Sequence, residues 1–216
     1  YYYIEIYFSK RIIKNLHKID NLIIWPLTIK DSQKLIELNK KLKKLIQVQP
    51  HLLLVKNKKI SKPKIKSSKV KLLFIGHGNH LANIEAVKFI QKLAIINDSL
   101  VFDIIGKGWN SQSMNNKLEN INYFGYVDEI SKIISDNTFF IAPIFSGSGI
   151  NMKIITAIEE QMYGFISKFS AEPFELTNMN LPRDKFIIID GKKEEIWLET
   201  ILKYTSLFQK KKKFSR

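Results

Sequence analysis

VKLLFIGHGNHLANIEAVKFIQKLAII, residues 70–96, carries the pattern that decides the fold. Residues 70–75 form an apolar run with little polar alternation, as in a strand covered on both faces. Gly76 and Gly78 end the run. From residue 83 apolar residues return at helical spacing, which predicts an amphipathic helix over 83–96.

The same handover recurs downstream. LVFDIIG (100–106) predicts a strand, and the polar stretch 109–119 leaves room for one helical turn. INYFGYV (121–127) predicts strand then turn, DEISKIISD (128–136) a helix, and TFFIAPIF (138–145) a strand. GINMKIITAIEEQM (149–162) predicts a helix, YGFISKF (163–169) and KFIIID (185–190) strands, and 193–208 a closing helix. Buried strands alternating with helices predict a doubly wound, mostly parallel α/β sheet of Rossmann-like type. Such sheets bind ligands beyond the carboxyl ends of their strands, where strand order reverses, so the loops after strands are where chemistry is expected.

Upstream the pattern is partial. Residues 8–18 show helical spacing, DNLIIW (20–25) predicts a short buried strand, and 29–45 predicts a helix with Asp31 and Ser32 near its start. A short extended stretch broken by Pro50 follows. KNKKISKPKIKSSK (56–69) holds seven lysines and one proline without apolar periodicity, and reads as a linker. The expected organisation is an amino-terminal α/β segment (1–55), a Lys-rich linker (56–69), the Rossmann-like domain (70–208) and a basic tail (209–216).

Composition narrows the function. The formal net charge is +15 and cysteine is absent. No disulfide or thiolate metal site is possible, and a reducing compartment fits. No apolar run has the length of a membrane span, and the first residues lack the pattern of a signal peptide. The charge suits phosphates, nucleotides, nucleic acids or anionic lipid, and equally suits a Lys-rich composition with no single partner. No nucleic-acid motif accompanies it, so nucleic acid ranks last among partners.

Three loops can carry chemistry. Gly76-His77-Gly78-Asn79 lacks the third glycine of a dinucleotide fingerprint and the lysine of a P-loop. It reads as a tight turn or as a ligand loop, with His77 a polar loop residue or a sugar or phosphate contact. His77 and His80 alone make no metal site. Gly106-Lys107-Gly108 offers a lysine between glycines, either solvated or facing a phosphate. Ser146-Gly147-Ser148-Gly149 hands a strand to a helix. Bare amides and the helix end favour an anion there, with Lys153 adding a charge and Asn151 a donor. Ser148 as the helix N-cap is the structural alternative, and it requires the same geometry. A serine-hydrolase elbow is excluded by spacing.

Taken in order, KLLFIGHGNHLANIEAVKFI (71–90), VFDIIGKG (101–108), NINYFGYVDEISKIISD (120–136) and FFIAPIFSGSGINMKIITAIE (139–159) resemble the carboxy-terminal domain of GT-B glycosyltransferases of the glycosyl transferases group 1 family. The likeness runs over about 70–172, and residues 18–53 are similar to the end of that family's amino-terminal domain. The resemblance implies transfer of a sugar from a UDP-, GDP- or ADP-sugar to a glycan, lipid or protein acceptor, with retention and without a metal or other cofactor. It implies that Gly76, His77, Gly78, Asn79, Gly147, Ser148 and Gly149 face the diphosphate, that Lys107 and Lys153 neutralise it, and that the turn 125–127 passes near the base. Asn151 and Thr156 complete the expected donor site; the resemblance assigns no catalytic residue.

Two departures mark this chain. The paired glutamates of the family's E-x7-E motif fall at Ser148 and Thr156. Its Gly-x-Pro falls at Gln161-Met162-Tyr163. An inactive glycosyltransferase-like binding or assembly module is therefore the second reading. The implied location is cytoplasmic, with the basic tail offering peripheral contact to an anionic membrane or standing free in solvent.

Overall fold

The computed structural model describes residues 10–26, 29–48, 63–65, 69–109, 118–147, 150–175 and 181–209. The chain divides into two compact units. One comprises Tyr1–Leu52 with Ser148–Ile150 and Glu172–Asn180; the other comprises Leu53–Gly147, Asn151–Ala171 and Leu181–Arg216.

The second unit is built on six strands: β1 (Val70–Ile75), β2 (Leu100–Ile105), β3 (Ile121–Gly125), β4 (Thr138–Ala142), β5 (Gly164–Ser167) and β6 (Phe186–Ile189). They lie in the order β3-β2-β1-β4-β5-β6, and every neighbouring pair is parallel. Strand order reverses between β1 and β4, which pair through Lys71–Thr138, Leu72–Phe139 and Leu73–Phe140. All five residues of β4 are buried, as a central strand covered on both faces requires.

Helix α2 (Leu81–Ile96) joins β1 to β2 and buries Ala86, Val87, Phe89, Ile90, Leu93 and Ala94. Its end is tied to the start of β2: Asn120 Nδ2, just before β3, donates to Ala94 O of α2 at 2.9 Å and to Leu100 O of β2 at 3.0 Å. Helix α3 (Met152–Glu159) follows β4, α4 (Lys168–Glu175) follows β5, and α5 (Glu194–Ser206) closes the unit. Phe89 of α2, Phe145 beyond β4 and Trp197 of α5 meet edge to face with centroids 5.2 to 6.0 Å apart. This cluster fixes the exit of β4.

The expected doubly wound sheet is present, and several elements differ from their sequence readings. The helix expected over 128–136 is a single 3-10 turn, Ile130–Lys132. Ser135 N donates to Thr138 Oγ1 at 3.1 Å, and this local turn replaces further helix. The strand expected over 163–169 ends at Ser167, whose Oγ accepts from Ser170 N at 3.2 Å and caps α4. The helix expected from 149 begins at Met152 with Asn151 in the N-cap position, so Ser148 is not its N-cap. Within the Lys-rich stretch, Ile65 is buried and bridges Gln209, while Lys64 N donates to Asp136 O at 2.8 Å. The helical turn read into 109–119 falls largely on residues outside those described.

In the first unit, residues 10–15 are helical and continue as the 3-10 turn Leu16–Lys18. The helix expected over 29–45 is shorter: α1 covers Ile29–Leu38, and a 3-10 segment follows over Lys40–Lys44. Asn39 interrupts it. Its Oδ1 accepts from Lys41 N at 3.1 Å, and its Nδ2 donates to Lys14 O at 3.1 Å. An asparagine satisfied this way competes with continued helix. DNLIIW is not a buried strand: one bridge joins Ile24 to Ile46, and Ile23 and Trp25 are exposed.

Candidate functional site

Three loops meet the carboxyl end of the sheet around the β1/β4 reversal. The loop after β1 is bound to the loop after β2 by main-chain hydrogen bonds. Gly76 N donates to Ile105 O at 2.9 Å and Gly78 N to Lys107 O at 2.7 Å. The Trp109 indole donates to Gly76 O at 2.7 Å. The approach is too close for side chains: a Cβ on Gly106, which has φ +142°, would lie 1.9 Å from Gly76 O, and one on Gly78 would lie 2.5 Å from Gly108 O. Both Gly-x-Gly pairs are thus used against each other, and the amides of Gly76 and Gly78 are spent on the clasp.

The side chains of these loops have their own places. His77 Nδ1 accepts from Asn79 N at 3.4 Å, and Asn83 Nδ2 donates to His77 O at 2.9 Å. The His77 and His80 rings meet edge to face at 5.8 Å. No group of acidic or His residues suited to a metal occurs among the described residues. Lys107 is exposed, and its Nζ stands 4.9 Å from the centroid of the Tyr126 ring, itself beyond β3.

The loop after β4 shows no such close approach among the described residues. Gly147 has φ +121°, and among the described residues the nearest contact of a Cβ placed on it is the Ala82 methyl of α2, 4.0 Å away. Ser146 Oγ donates to Glu85 Oε2 of α2 at 2.8 Å. Ser148 and Gly149 lie outside the described residues.

Lys153 stands in the first turn of α3, half-buried, with Nζ 5.9 Å from the centroid of the fully buried Phe74 ring at the end of β1. The ammonium donates to Asn151 Oδ1 at 2.7 Å. Burial pushes its pKa down to about 8, because loss of water disfavours the charged form. Asn151 is held in turn: its Nδ2 donates to Ser170 Oγ at 3.5 Å, Ser170 and Ser167 hydroxyls are 2.9 Å apart, and Ser167 Oγ donates to Ile144 O. The exits of β4 and β5 and the start of α3 are therefore tied through one chain of polar groups ending on a partly desolvated cation. Thr156 is turned into its own helix, with Oγ1 donating to Met152 O at 3.2 Å.

Of the residues expected at the site, Gly147, Asn151 and Lys153 lie around the β4 exit, and Gly76 and Gly78 hold the neighbouring clasp. The sequence reading did not single out Glu85, Ser167 or Ser170. The S-x-x-S spacing of the last two is a capping signal that could have exposed them. Nothing in the sequence pairs Glu85 with Ser146, which are 61 residues apart.

No family model matches this sequence, and no curated protein matches it. Solved structures match its fold. TarM aligns with TM-score 0.69 at 15% identity over 93% of this chain and 39% of its own. The pneumococcal O-GlcNAc transferase GtfA, solved in complex with UDP and GlcNAc, aligns at 0.56 and 16% identity over 91% of this chain and 40% of its own. WaaG, a glycosyltransferase involved in lipopolysaccharide biosynthesis, aligns at 0.58 and 14% identity over 84% and 53%. This chain spans about two fifths of the length of TarM and GtfA. With the six-stranded parallel sheet in the order β3-β2-β1-β4-β5-β6, the likeness establishes a Rossmann-like fold of the GT-B glycosyltransferase type.

Proposed function

We propose that this chain is the donor-binding part of a glycosyltransferase, and that it holds a nucleoside diphosphate sugar at the β1/β4 reversal. One observation carries the reading: Lys153, in the first turn of the helix that follows the Gly147 loop, keeps an ammonium in a partly desolvated position over the Phe74 ring at the end of β1. A lysine there costs stability unless it meets an anion, and a cation perturbed by burial beside strand-end loops is a candidate functional group. The fold supports the same class, as does the UDP bound to GtfA.

In this reading Lys153 contacts the diphosphate and stabilises negative charge as the sugar–phosphate bond breaks. Asn151 is a positioning residue that fixes the ammonium. Lys107 adds charge from the neighbouring loop, and Tyr126 stands beside it toward the base. Retention of configuration and transfer without a metal are further parts of the proposal, as are a glycan, lipid or protein acceptor and a cytoplasmic location with peripheral membrane contact. Residues 1–55 then serve as the acceptor-side segment and 70–208 as the donor domain. No helix among the described residues is long and apolar enough to cross a membrane.

Calorimetric titration of the 216-residue chain with UDP, GDP, ADP and UDP-GlcNAc tests the proposal. Binding of a diphosphate that Lys153→Ala weakens at least tenfold supports it, and no binding by the unaltered chain refutes it. A second reading, an inactive binding module, is favoured by Thr156, whose hydroxyl is engaged within α3 where the related pattern has an acid. Release of free sugar or transfer product from UDP-GlcNAc by the full-length gene product separates the two.

A further inference from the structure

Ala82 and Glu85 are three residues apart on α2 and share the face that the Ser146-Gly147 loop crosses. Four groups lie together there. Gly147 contributes bare backbone, Ala82 a methyl 4.0 Å from the Gly147 Cβ position, and Ser146 and Glu85 a hydroxyl and a carboxylate joined at 2.8 Å. Glu85 Oε1 has no partner among the described residues.

A carboxylate accepts hydrogen bonds and donates none. Beside a diphosphate it repels, so a ligand placed at this corner must turn some other part toward Glu85. On a nucleoside diphosphate sugar the neutral donors next to the phosphates are sugar hydroxyls. The structure already holds one such contact, since the Ser146 hydroxyl rests on Oε2.

We propose that Glu85 is the hydroxyl-recognising carboxylate of the donor site, accepting from a sugar hydroxyl adjacent to the diphosphate. This inference rests on the donor-binding reading above. Ribose and the transferred sugar both offer that chemistry, and the two differ in the test.

Titrate the unaltered chain, Glu85→Gln and Glu85→Asp with UDP and with UDP-GlcNAc at pH 7, with thermal melts alongside. The amide oxygen of E85Q still accepts from Ser146, so the loop tie is kept, while the charge that strengthens a sugar contact is lost. Loss of about tenfold or more in UDP-GlcNAc affinity is expected. If UDP affinity is unchanged the partner is the transferred sugar; if both fall equally it is the ribose. E85D, which keeps the charge and shortens the reach, should also lose affinity without a lower melting temperature. E85Q binding both ligands as well as or better than the unaltered chain overturns the inference, since a carboxylate that only repels phosphate behaves so. Should the unaltered chain bind neither ligand, the donor-binding reading itself falls.

Discussion

Replacing Lys153 with Met separates the cost of this lysine from its use. Burial lowers the lysine pKa from 10.5 to about 8. At about 1.4 kcal/mol per pH unit, that gap amounts to roughly 3 kcal/mol against the charged form in the folded chain. The sign follows from proton binding. Between about 8 and 10.5 the unfolded chain holds more protons at this site than the folded one, so stability rises with pH across that window. Below 8 the full penalty applies. Met retains an unbranched apolar stem against Phe74 and removes the charge. It also removes the donor to Asn151 Oδ1, a loss of about 1 kcal/mol.

K153M should therefore be more stable than the unaltered chain by about 2 kcal/mol at pH 7, the difference of those two terms. The advantage should shrink as pH rises from 8 toward 10.5. Urea unfolding at pH 7, 9 and 10.5, followed by far-UV circular dichroism, measures it. Diphosphate affinity should move oppositely: lost in K153M at pH 7, and falling in the unaltered chain as pH rises through about 8. A variant less stable than its parent at pH 7, or a difference that does not change with pH, would show that the ammonium is not held at a desolvation cost.

Four further substitutions probe the frame around this site. Gly106→Ala should cost on the order of 4 kcal/mol or more in urea melts, because its Cβ would fall 1.9 Å from Gly76 O. Gly125→Ala is the control: φ is +66° with nothing within 4 Å among the described residues, so about 1 kcal/mol is expected for the left-handed backbone alone. Gln161→Gly should raise stability by about 0.5–1 kcal/mol, since Gln161 has φ +57° just past α3. Ser167→Ala should cost about 1–3 kcal/mol through the deprived Ile144 carbonyl, and calorimetric unfolding reads it directly.

The sheet was legible because burial on two faces leaves a one-dimensional trace. Runs such as VKLLFI and TFFIA contain almost nothing but apolar residues, and the helix of 81–96 follows the period of its own buried face. Short elements were not legible, because a few side-chain bonds decide them. Asn39 ends α1 with partners on residues 14 and 41, and the Ser135–Thr138 turn replaces a helix whose apolar spacing looked sound. The missing glycine after α3 has a similar explanation. Met162 N donates to Ala157 O and Gln161 N to Ile158 O, the paired bonds of a helix end that glycine usually makes. The backbone kept the motif although the residue changed, so absence of Gly at 161 said nothing about the shape there.

The glycines near the strand ends show why spacing alone could not rank the three loops. A bare amide can approach a phosphate or another stretch of backbone, and both uses select the same residue. In the loops after β1 and β2 the second use applies: Gly106 stands where any Cβ would strike Gly76 O, and the amide of Gly78 is already bonded to Lys107 O. Gly147 shares the positive φ and meets no such clash among the described residues, where its Cβ position touches only a methyl at ordinary contact distance. The clasp then has a role in the proposed chemistry without touching a ligand. It fixes the end of β1, where Phe74 lies beneath the Lys153 ammonium, against β2 and Trp109. A cation held at a desolvation cost must have a rigid floor, because a floor that gave way would admit water and return the lysine to its ordinary pKa. Trp109→Phe, which removes the indole donor to Gly76 O and keeps an aromatic ring, is accordingly expected to raise the Lys153 pKa above about 8. Titration of the lysine side-chain carbon resonances by NMR would read that shift, and an unchanged midpoint would break the link between clasp and cation.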